Sequence, residues 1–402
     1  MSSNLADGAM LTALPMIAAL LTNDPLLVAG LTVVRFLPWL LLGLVTGAIA
    51  DRVDRGKLMI AANTVRAGVL VILAALVATG TANIAMLYVA MFVVMCCEIF
   101  YDISAQAMVP QLVPAGALDR ANARLVGGRI VADNFAGTPL AGLLFVVAAA
   151  LPVAVNAGAY LLGALILLGL PLSARSPGPT KTSTPPRDGL IRPLLSEARD
   201  GLRFVYGDRP LRSVVVLSTV TNMAIVSQAS VLVLLVRDHF GVPDSLYGVF
   251  LSGAAVGGII GALLVKRMID AIGRFPTVMS ALVLMALSCV GFGLAPNALT
   301  AALAWALVAM AGALCSTVTM GCAQLIVPSD LRGRVMACVR MFGYGLAPLG
   351  ALVSGLLGRI DLRLPSVVAG IAILLVSLIV ARSMRVVITR ADEAEKKNIS
   401  EG

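Results

Sequence analysis

Residues 26–79 read LLVAGLTVVRFLPWLLLGLVTGAIA, then DRVDRGK, then LMIAANTVRAGVLVILAALVAT: two apolar runs joined by the charged loop Asp51-Arg52-Val53-Asp54-Arg55-Gly56-Lys57. Each run holds a single charge, Arg35 in the first and Arg66 in the second. About 20 apolar residues suffice to cross the hydrocarbon core of a bilayer as a helix. Inside lipid the backbone must satisfy its own hydrogen bonds, which leaves the helix as the solution for such a run. The pair therefore reads as two membrane helices hinged by a short polar loop.

The same pattern continues in both directions. Helices are expected over Leu5–Thr22, Leu26–Ala50, Leu58–Thr79, Ile84–Met108, Leu125–Ala150 and Pro152–Leu172. After a polar break they resume over Leu211–Val236, Leu246–Val265, Pro276–Ala295, Ala298–Val327, Val335–Gly358 and Leu364–Ala381. Composition agrees: 59% of residues are hydrophobic, 13% are charged, and the mean hydropathy is +0.97. A soluble chain carries about 25% charged residues. The fold class expected is an all-α membrane protein with about twelve transmembrane helices in two six-helix bundles. The domains are residues 1–172, a cytoplasmic linker 173–210, residues 211–387 and a tail 388–402.

The linker contains Ser176-Pro177-Gly178-Pro179 and Ser183-Thr184-Pro185-Pro186, a solvated composition. From Pro193 to Tyr206 an amphipathic pattern predicts a short helix on the membrane surface. The tail ending ADEAEKKNISEG reads as frayed and solvated. The net charge of +9 comes from basic residues gathered in loops, so it sets topology and does not mark a nucleic-acid surface. Arg52, Arg55, Lys57, Arg120, Arg124, Lys266, Arg267, Arg274, Arg332 and Arg334 fall in loops of one side. On the other side only Arg237, Arg359 and Arg363 occur. This places both termini in the cytoplasm of a multi-pass protein of the cell membrane. The six cysteines lie in or beside apolar runs, which argues against a disulfide framework. The first apolar run lacks a basic leader and is followed at once by another span, unlike a cleavable signal peptide.

The halves echo one another. Asp51 to Arg55 after helix 2 has a partner in Asp270-Ala271-Ile272-Gly273-Arg274 after helix 8. Gln111-Leu112-Val113-Pro114 is matched by Gln324-Leu325-Ile326-Val327-Pro328, with Arg120 and Arg334 following at equal spacing. Thr138-Pro139-Leu140-Ala141-Gly142 is matched by Ala347-Pro348-Leu349-Gly350. Such duplication is how many transporters build two bundles around a site near the membrane midplane.

The stretch Gly47-Ala48-Ile49-Ala50-Asp51-Arg52-Val53-Asp54-Arg55-Gly56-Lys57 resembles the loop 2–3 signature of the major facilitator superfamily. Its Asp-Arg-x-Asp-Arg form is similar to the branch of macrolide-efflux and enterobactin-exporter-like drug:proton antiporters, as are Leu5-Ala6-Asp7-Gly8, Pro110 to Pro114 with Ala121-Asn122, and Gly201-Leu202-Arg203-Phe204. Two features depart from the branch. Only Met1 to Asn4 precede the Leu-Ala-Asp-Gly stretch, and Thr138 separates Gly137 from Pro139 where antiporters join Gly to Pro. The resemblance implies proton-coupled efflux of amphipathic small molecules by alternating access, with siderophore or metabolite export as the alternative. It also implies a latch of Gly47, Asp51, Arg52 and Arg55 between bundles, and a helix 5 and 11 motif of Gly137, Pro139, Gly142, Pro348 and Gly350.

Charges inside spans cost roughly 2.5–3.5 kcal/mol each on insertion scales, so every one needs a role. They are Asp7, Arg35, Arg66, Glu98, Asp102, Arg129 and Asp133, all in the first half. At a 1.5 Å rise, Asp7, Glu98 and Arg66 lie about 24, 22 and 20 Å from the outer loops, in one layer, with Arg35 at about 14 Å. Asp7 and Glu98 are the candidates for proton coupling, since a desolvated carboxylate in the transport path can take up a proton on one side and release it on the other. The bland alternative is a structural network, with Glu98 or Asp102 paired to Arg66 or Arg35. Arg129 and Asp133, i and i+4, read as a local pair. Helices 7–12 offer neutral polar groups, of which Asn222 and Gln228 are cavity candidates. Gly253, Gly257, Gly258 and Gly261 read as small residues on one face of helix 8. His239 is expected in an outer loop. No metal cluster, nucleotide motif or reactive constellation is visible, so neither a cofactor nor an enzyme is expected, and the partners are a small-molecule substrate, protons and lipid around a monomer.

Overall fold

The computed structural model describes residues 2–50, 54–113, 131–169, 206–327 and 345–401, with isolated positions from 117 to 129 and at 203, 335 and 341–343. Among these residues every regular element is helical. The chain divides into two compact units, Met1–Ile191 with Gly241–Ser252, and Arg192–Phe240 with Gly253–Gly402. The first holds α1 (Ser2–Leu21), α2 (Pro25–Ala50), α3 (Arg55–Ala78), α4 (Ile84–Leu112), α5 (Thr138–Val147) and α6 (Leu151–Leu168). The second holds α7 (Arg209–Ser230), most of α8 (Asp244–Ile272), α9 (Arg274–Gly293), α10 (Ala298–Ile326), α11 (Ala347–Gly358) and α12 (Leu364–Glu401). Among the described residues eleven helical stretches are long and apolar enough to cross a membrane, and α1 adds a shorter apolar run, Leu5–Leu21.

Local chemistry sets the helix ends. Asp54 of the charged loop caps α3, its carboxylate accepting from the Lys57 N–H at 3.0 Å. Asn83 accepts from the Met86 N–H and Asn297 from the Thr300 N–H, each at 3.0 Å, starting α4 and α10 alike. These two caps extend the internal duplication beyond the residues that reveal it in the sequence. Gly80, at φ 69°, closes α3 in the left-handed region that glycine enters without a Cβ clash.

Each unit has its own core. In the first, Leu14, Ile17, Leu70, Leu73, Leu87 and Ile99 are buried where α1, α3, α4 and α6 pack. In the second, α9 packs on α10 and α12, burying Leu282, Cys289, Leu314, Ile373 and Met384. The opposite face of α12 exposes Leu375, Leu378 and Ile379. A stripe of that kind is stable against lipid and a liability in water.

Several elements differ from expectation. Helix 5 is not regular: Val131–Gly137 is π-helical and passes into α5 at Thr138. Pro139 has no N–H to give to the preceding turn, and the hydrogen-bond register widens there. Helix 7 ends at Ser230, whose hydroxyl bonds back to the Val226 carbonyl, and a π-helical turn Leu235–His239 follows. His239 thus closes a helical segment, where it accepts from Arg363 Nε at 3.0 Å. Helix 8 runs to Ile272, placing Lys266, Arg267 and Asp270 on the helix, and the turn to α9 is Gly273 at φ 83°. The tail is not frayed: α12 continues to Glu401, with Val387, Ile388 and Ala391 buried. Arg274 holds it through ion pairs with Asp392 and, at 2.7 Å, Glu395. Asp51, Arg52 and the linker from 173 to 202, with most of its expected surface helix, lie outside the described residues.

Candidate functional site

The intramembrane charges assemble in the first unit, and close helix approach brings them together. α1 crosses the π-helical segment at paired glycines. A Cβ on Gly8 would strike the Asp133 backbone, and one on Gly137 would lie 2.7 Å from the Leu5 carbonyl oxygen and 2.9 Å from Ala9 N. This contact draws Asp7 of α1 and Asp133 of the π-helical segment into one region.

Asp7 accepts a hydrogen bond of 2.5 Å from the Tyr160 hydroxyl on α6. Its Oδ1 also lies 3.7 Å from Arg66 Nη1 on α3. Arg66 is fully buried, with its guanidinium carbon 5.4 Å from the Tyr101 ring and 5.1 Å from the Tyr160 ring. Its three guanidinium nitrogens have no hydrogen-bond partner among the described residues. The cation is therefore balanced by one carboxylate beyond hydrogen-bond range and by two aromatic faces.

The second cluster centres on Arg129. Its Nη1 donates to Asp102 Oδ2 at 3.1 Å and its Nε to Asp133 Oδ2 at 3.3 Å. Its Nη2 lies 3.6 Å from Glu98 Oε1. The expected local pair with Asp133 exists, and the same guanidinium also spans two carboxylates of α4 one turn apart. Arg129 is 42% exposed, unlike buried Arg66. Arg35 stacks on Phe36 at 5.6 Å and makes no ion pair among the described residues.

Depth alone thus groups the charges incompletely. Asp7 meets Arg66 as their shared layer suggested, whereas Glu98 turns to Arg129. Neither Glu98 nor Asp102 forms an ion pair with Arg66 or Arg35 among the described residues. Tyr160 and Tyr101 were not singled out in the sequence, although a tyrosine inside an apolar helix needs a partner for its hydroxyl. Gly8 entered the sequence reading only within the stretch Leu5-Ala6-Asp7-Gly8, without its role at the helix crossing.

The remaining candidates sit elsewhere. Gln228 is 1% exposed in the second unit, with the Cys289 thiol against its Oε1 at 3.7 Å. Asn222 donates to the Ser218 carbonyl of its own helix at 2.8 Å. Gly142 lies against the first turn of α8, where a Cβ would come 3.2 Å from Gly248 N. Gly350 presses on the Met223 backbone of α7, and Pro348 starts α11 after a break at Leu346. α11 therefore crosses α7 at Gly350 much as the helix 5 segment crosses α1 at Gly137. Of the latch residues, Arg55 heads α3, and Gly47 lies in the α2 backbone. A cavity of about 450 Å³ in the second unit is lined by Val265, Ile269, Arg274, Thr317, Cys322 and Gln324, among others. No group of three or more His, Cys, Asp or Glu among the described residues is arranged to hold a metal ion, and the three carboxylates around Arg129 converge on a guanidinium.

Comparison with solved structures shows the same fold at low sequence identity. The nucleoside transporter NupG superposes with a TM-score of 0.74 at 12% identity, covering 96% of this chain and 98% of that one. A peptide transporter, POT, gives 0.74 at 14% identity, covering 97% and 94%. A bacterial homologue of the iron transporter ferroportin, in an inward-facing state, gives 0.71 at 15% identity, covering 95% and 96%. No curated protein matches the sequence. The family described as transmembrane secretion effector matches residues 8–401. The chain belongs to that family of major facilitator transporters, and it is a membrane transporter, not an enzyme.

Proposed function

We propose that the protein is a secondary active exporter that moves amphipathic small molecules outward in exchange for protons. The carrying observation is the charge network of the first unit. Asp7, hydrogen-bonded to Tyr160 and close to Arg66, and Glu98, set against Arg129, are carboxylates in apolar helices. Such intramembrane carboxylates mark proton relays in pumps and transporters. The family description, secretion effector, favours outward movement. Amphipathic or cationic substrates suit spans that carry few other charges. On this reading the protein works as a monomer in the cell membrane, with both termini on the cytoplasmic side, a placement that the loop charges favour.

The test is transport by purified protein in proteoliposomes, with an imposed pH gradient and a panel of cationic dyes and macrolides. Accumulation against the substrate gradient only when the pH gradient is present is the expected result. Substrate movement indifferent to the pH gradient would refute proton exchange.

A further inference from the structure

Among the intramembrane arginines of the first unit, one has no protein anion in contact with it. Arg66 has Asp7 at 3.7 Å and two tyrosine faces, and Arg129 has Asp102, Asp133 and Glu98 around it. Arg35 of α2 makes neither an ion pair nor a hydrogen bond among the described residues; its close contact is the Phe36 ring. It continues the buried stripe of its helix formed by Val28, Leu31 and Pro38, at i−7, i−4 and i+3, so it lies on the face that packs inward. At 1.5 Å per residue it is about 15 Å from Pro25, the start of α2. That is half of a hydrocarbon core about 30 Å thick.

The register of α2 against α4 explains why no carboxylate reaches it. The two helices, separated by one span, run in the same direction. The Tyr88 hydroxyl of α4 donates to the Leu27 carbonyl of α2, and a Cβ on Gly30 would strike that hydroxyl. Tyr88 and Gly30 are thus nearly level. Glu98 lies ten residues beyond Tyr88 and Arg35 five beyond Gly30, which sets Glu98 roughly 7 Å further along the pair. Asp7 and Glu98 are the carboxylates whose fields reach Arg35, and both stop short of ion-pair range and are engaged elsewhere.

The guanidinium is open to a ligand. Arg35 is half-buried and its nitrogens are not enclosed, whereas all three of Arg66 are. Stacking on Phe36 occupies the face of the guanidinium and leaves its N–H groups, which lie in the plane, free to grip two oxygens at once. That fork fits a carboxylate, sulfonate or phosphate. The ring beside it suits the apolar body next to such a group. Arginine inside a span is costly, and where protein carboxylates do not absorb the charge it marks a substrate path.

Resting on the exporter reading above, we propose that Arg35 binds an acid group of the substrate, which narrows the amphipathic class to molecules that join an oxyanion to an apolar body. Arg66 and Arg129 hold the protein's own carboxylates. Arg35 holds the cargo's.

Binding is read on the full-length protein in lipid nanodiscs with two probes that share one body: dansyl-glycine, which carries a carboxylate, and dansyl-glycinamide, which does not. Trp39 lies one turn from Arg35 and is one of two tryptophans, so in a Trp305→Phe background it reports occupancy by energy transfer to the dansyl group. The acid should bind saturably and at least about tenfold more tightly than the amide. Arg35→Gln should remove that preference and leave the affinity for the amide unchanged, while Arg35→Lys, which keeps the charge without the fork, should retain part of it. Equal binding of acid and amide to the wild type, or a preference that survives Arg35→Gln, would overturn the proposal. A second readout needs no variant. Phenylglyoxal modification of Arg35, located by mass spectrometry, should be slowed by dansyl-glycine and not by the amide; equal modification with either probe refutes the site even if Arg35→Gln folds poorly. The two readings fail separately. If the acid binds as expected but no pH gradient drives its movement or that of other substrates, the exporter reading falls and the anion site stands. If pH-driven export holds while acid and amide bind alike, only the anion site falls.

Discussion

Helix α8 carries two adjacent glycines whose surroundings are opposite, and they permit a controlled test of how the second unit is packed. A Cβ at Gly257 would fall within contact distance of the Ala306 backbone of α10, whereas one at Gly258 would meet nothing within 4 Å. Gly261, one turn on, similarly faces Met310, with the Ala313 side chain 3.1 Å from its ideal Cβ. The four glycines of α8 are therefore not one face: Gly257 and Gly261 form the crossing, Gly253 only touches it at 4.0 Å, and Gly258 points away. Helix propensity alone favours alanine over glycine by about 0.8–1 kcal/mol at both positions. At Gly257 the added methyl meets a backbone carbonyl, which cannot swing aside, so α8 and α10 must separate at a cost of about 1–3 kcal/mol. The net expectation is a loss of up to about 2 kcal/mol for Gly257→Ala and a gain of up to about 1 kcal/mol for Gly258→Ala. The two variants should then differ by on the order of 2 kcal/mol, more than a tenfold ratio in the unfolding equilibrium. Equilibrium unfolding in lipid bicelles, monitored by tryptophan emission, measures the difference. Equal stability of the two alanine variants would refute the close backbone crossing.

Three further outcomes follow from the first unit and the tail. Tyr160→Phe removes the hydroxyl that donates to Asp7 and should lower stability by about 1.5–3 kcal/mol, the worth of a hydrogen bond to a charged group, in the same unfolding assay. Arg66→Met leaves Asp7 without its cation and should cost about 3–5 kcal/mol, while Arg66→Met with Asp7→Asn should cost clearly less than the two single changes added together; an additive double-mutant cycle would deny the pair. Asp392→Asn with Glu395→Gln removes two half-exposed ion pairs and should cost less than about 2 kcal/mol, with the loss shrinking at high salt. Ending the chain after Arg385 also removes buried Val387, Ile388 and Ala391, so it should cost more than the double substitution and show little salt dependence.

The fold was legible because lipid permits few solutions. A run of about 20 apolar residues can only be a helix there, and the loop around Asp51 to Lys57 names the superfamily by its charge pattern. The intramembrane charges were legible for the same reason, since each is costly and so conspicuous. Their pairing was not. Counting residues gives depth along a helix but not the direction a side chain faces, so Glu98 was set in one layer with Asp7 and Arg66 while its ion-pair contact is Arg129. The π-helical segment Val131–Gly137 compounds this, because a widened turn displaces Arg129 from the rotation that 3.6 residues per turn implies. The tail was misread for another cause. Val387, Ile388 and Ala391 keep helical i, i+1, i+4 spacing, but the charges that follow them suggested solvent, and Arg274 pairs with two of those, Asp392 and Glu395.

The central claim is that substrate movement and proton movement are one process. It is tested most directly by running the process backwards. Proteoliposomes with no imposed pH gradient, loaded with a pH-sensitive dye, would receive a step of substrate concentration on one side. Protons should move opposite to substrate in the wild type, and this movement should vanish in Asp7→Asn and in Glu98→Gln while the variants remain folded and inserted. Substrate flux without any accompanying proton movement, or proton movement undiminished in both variants, would contradict the account.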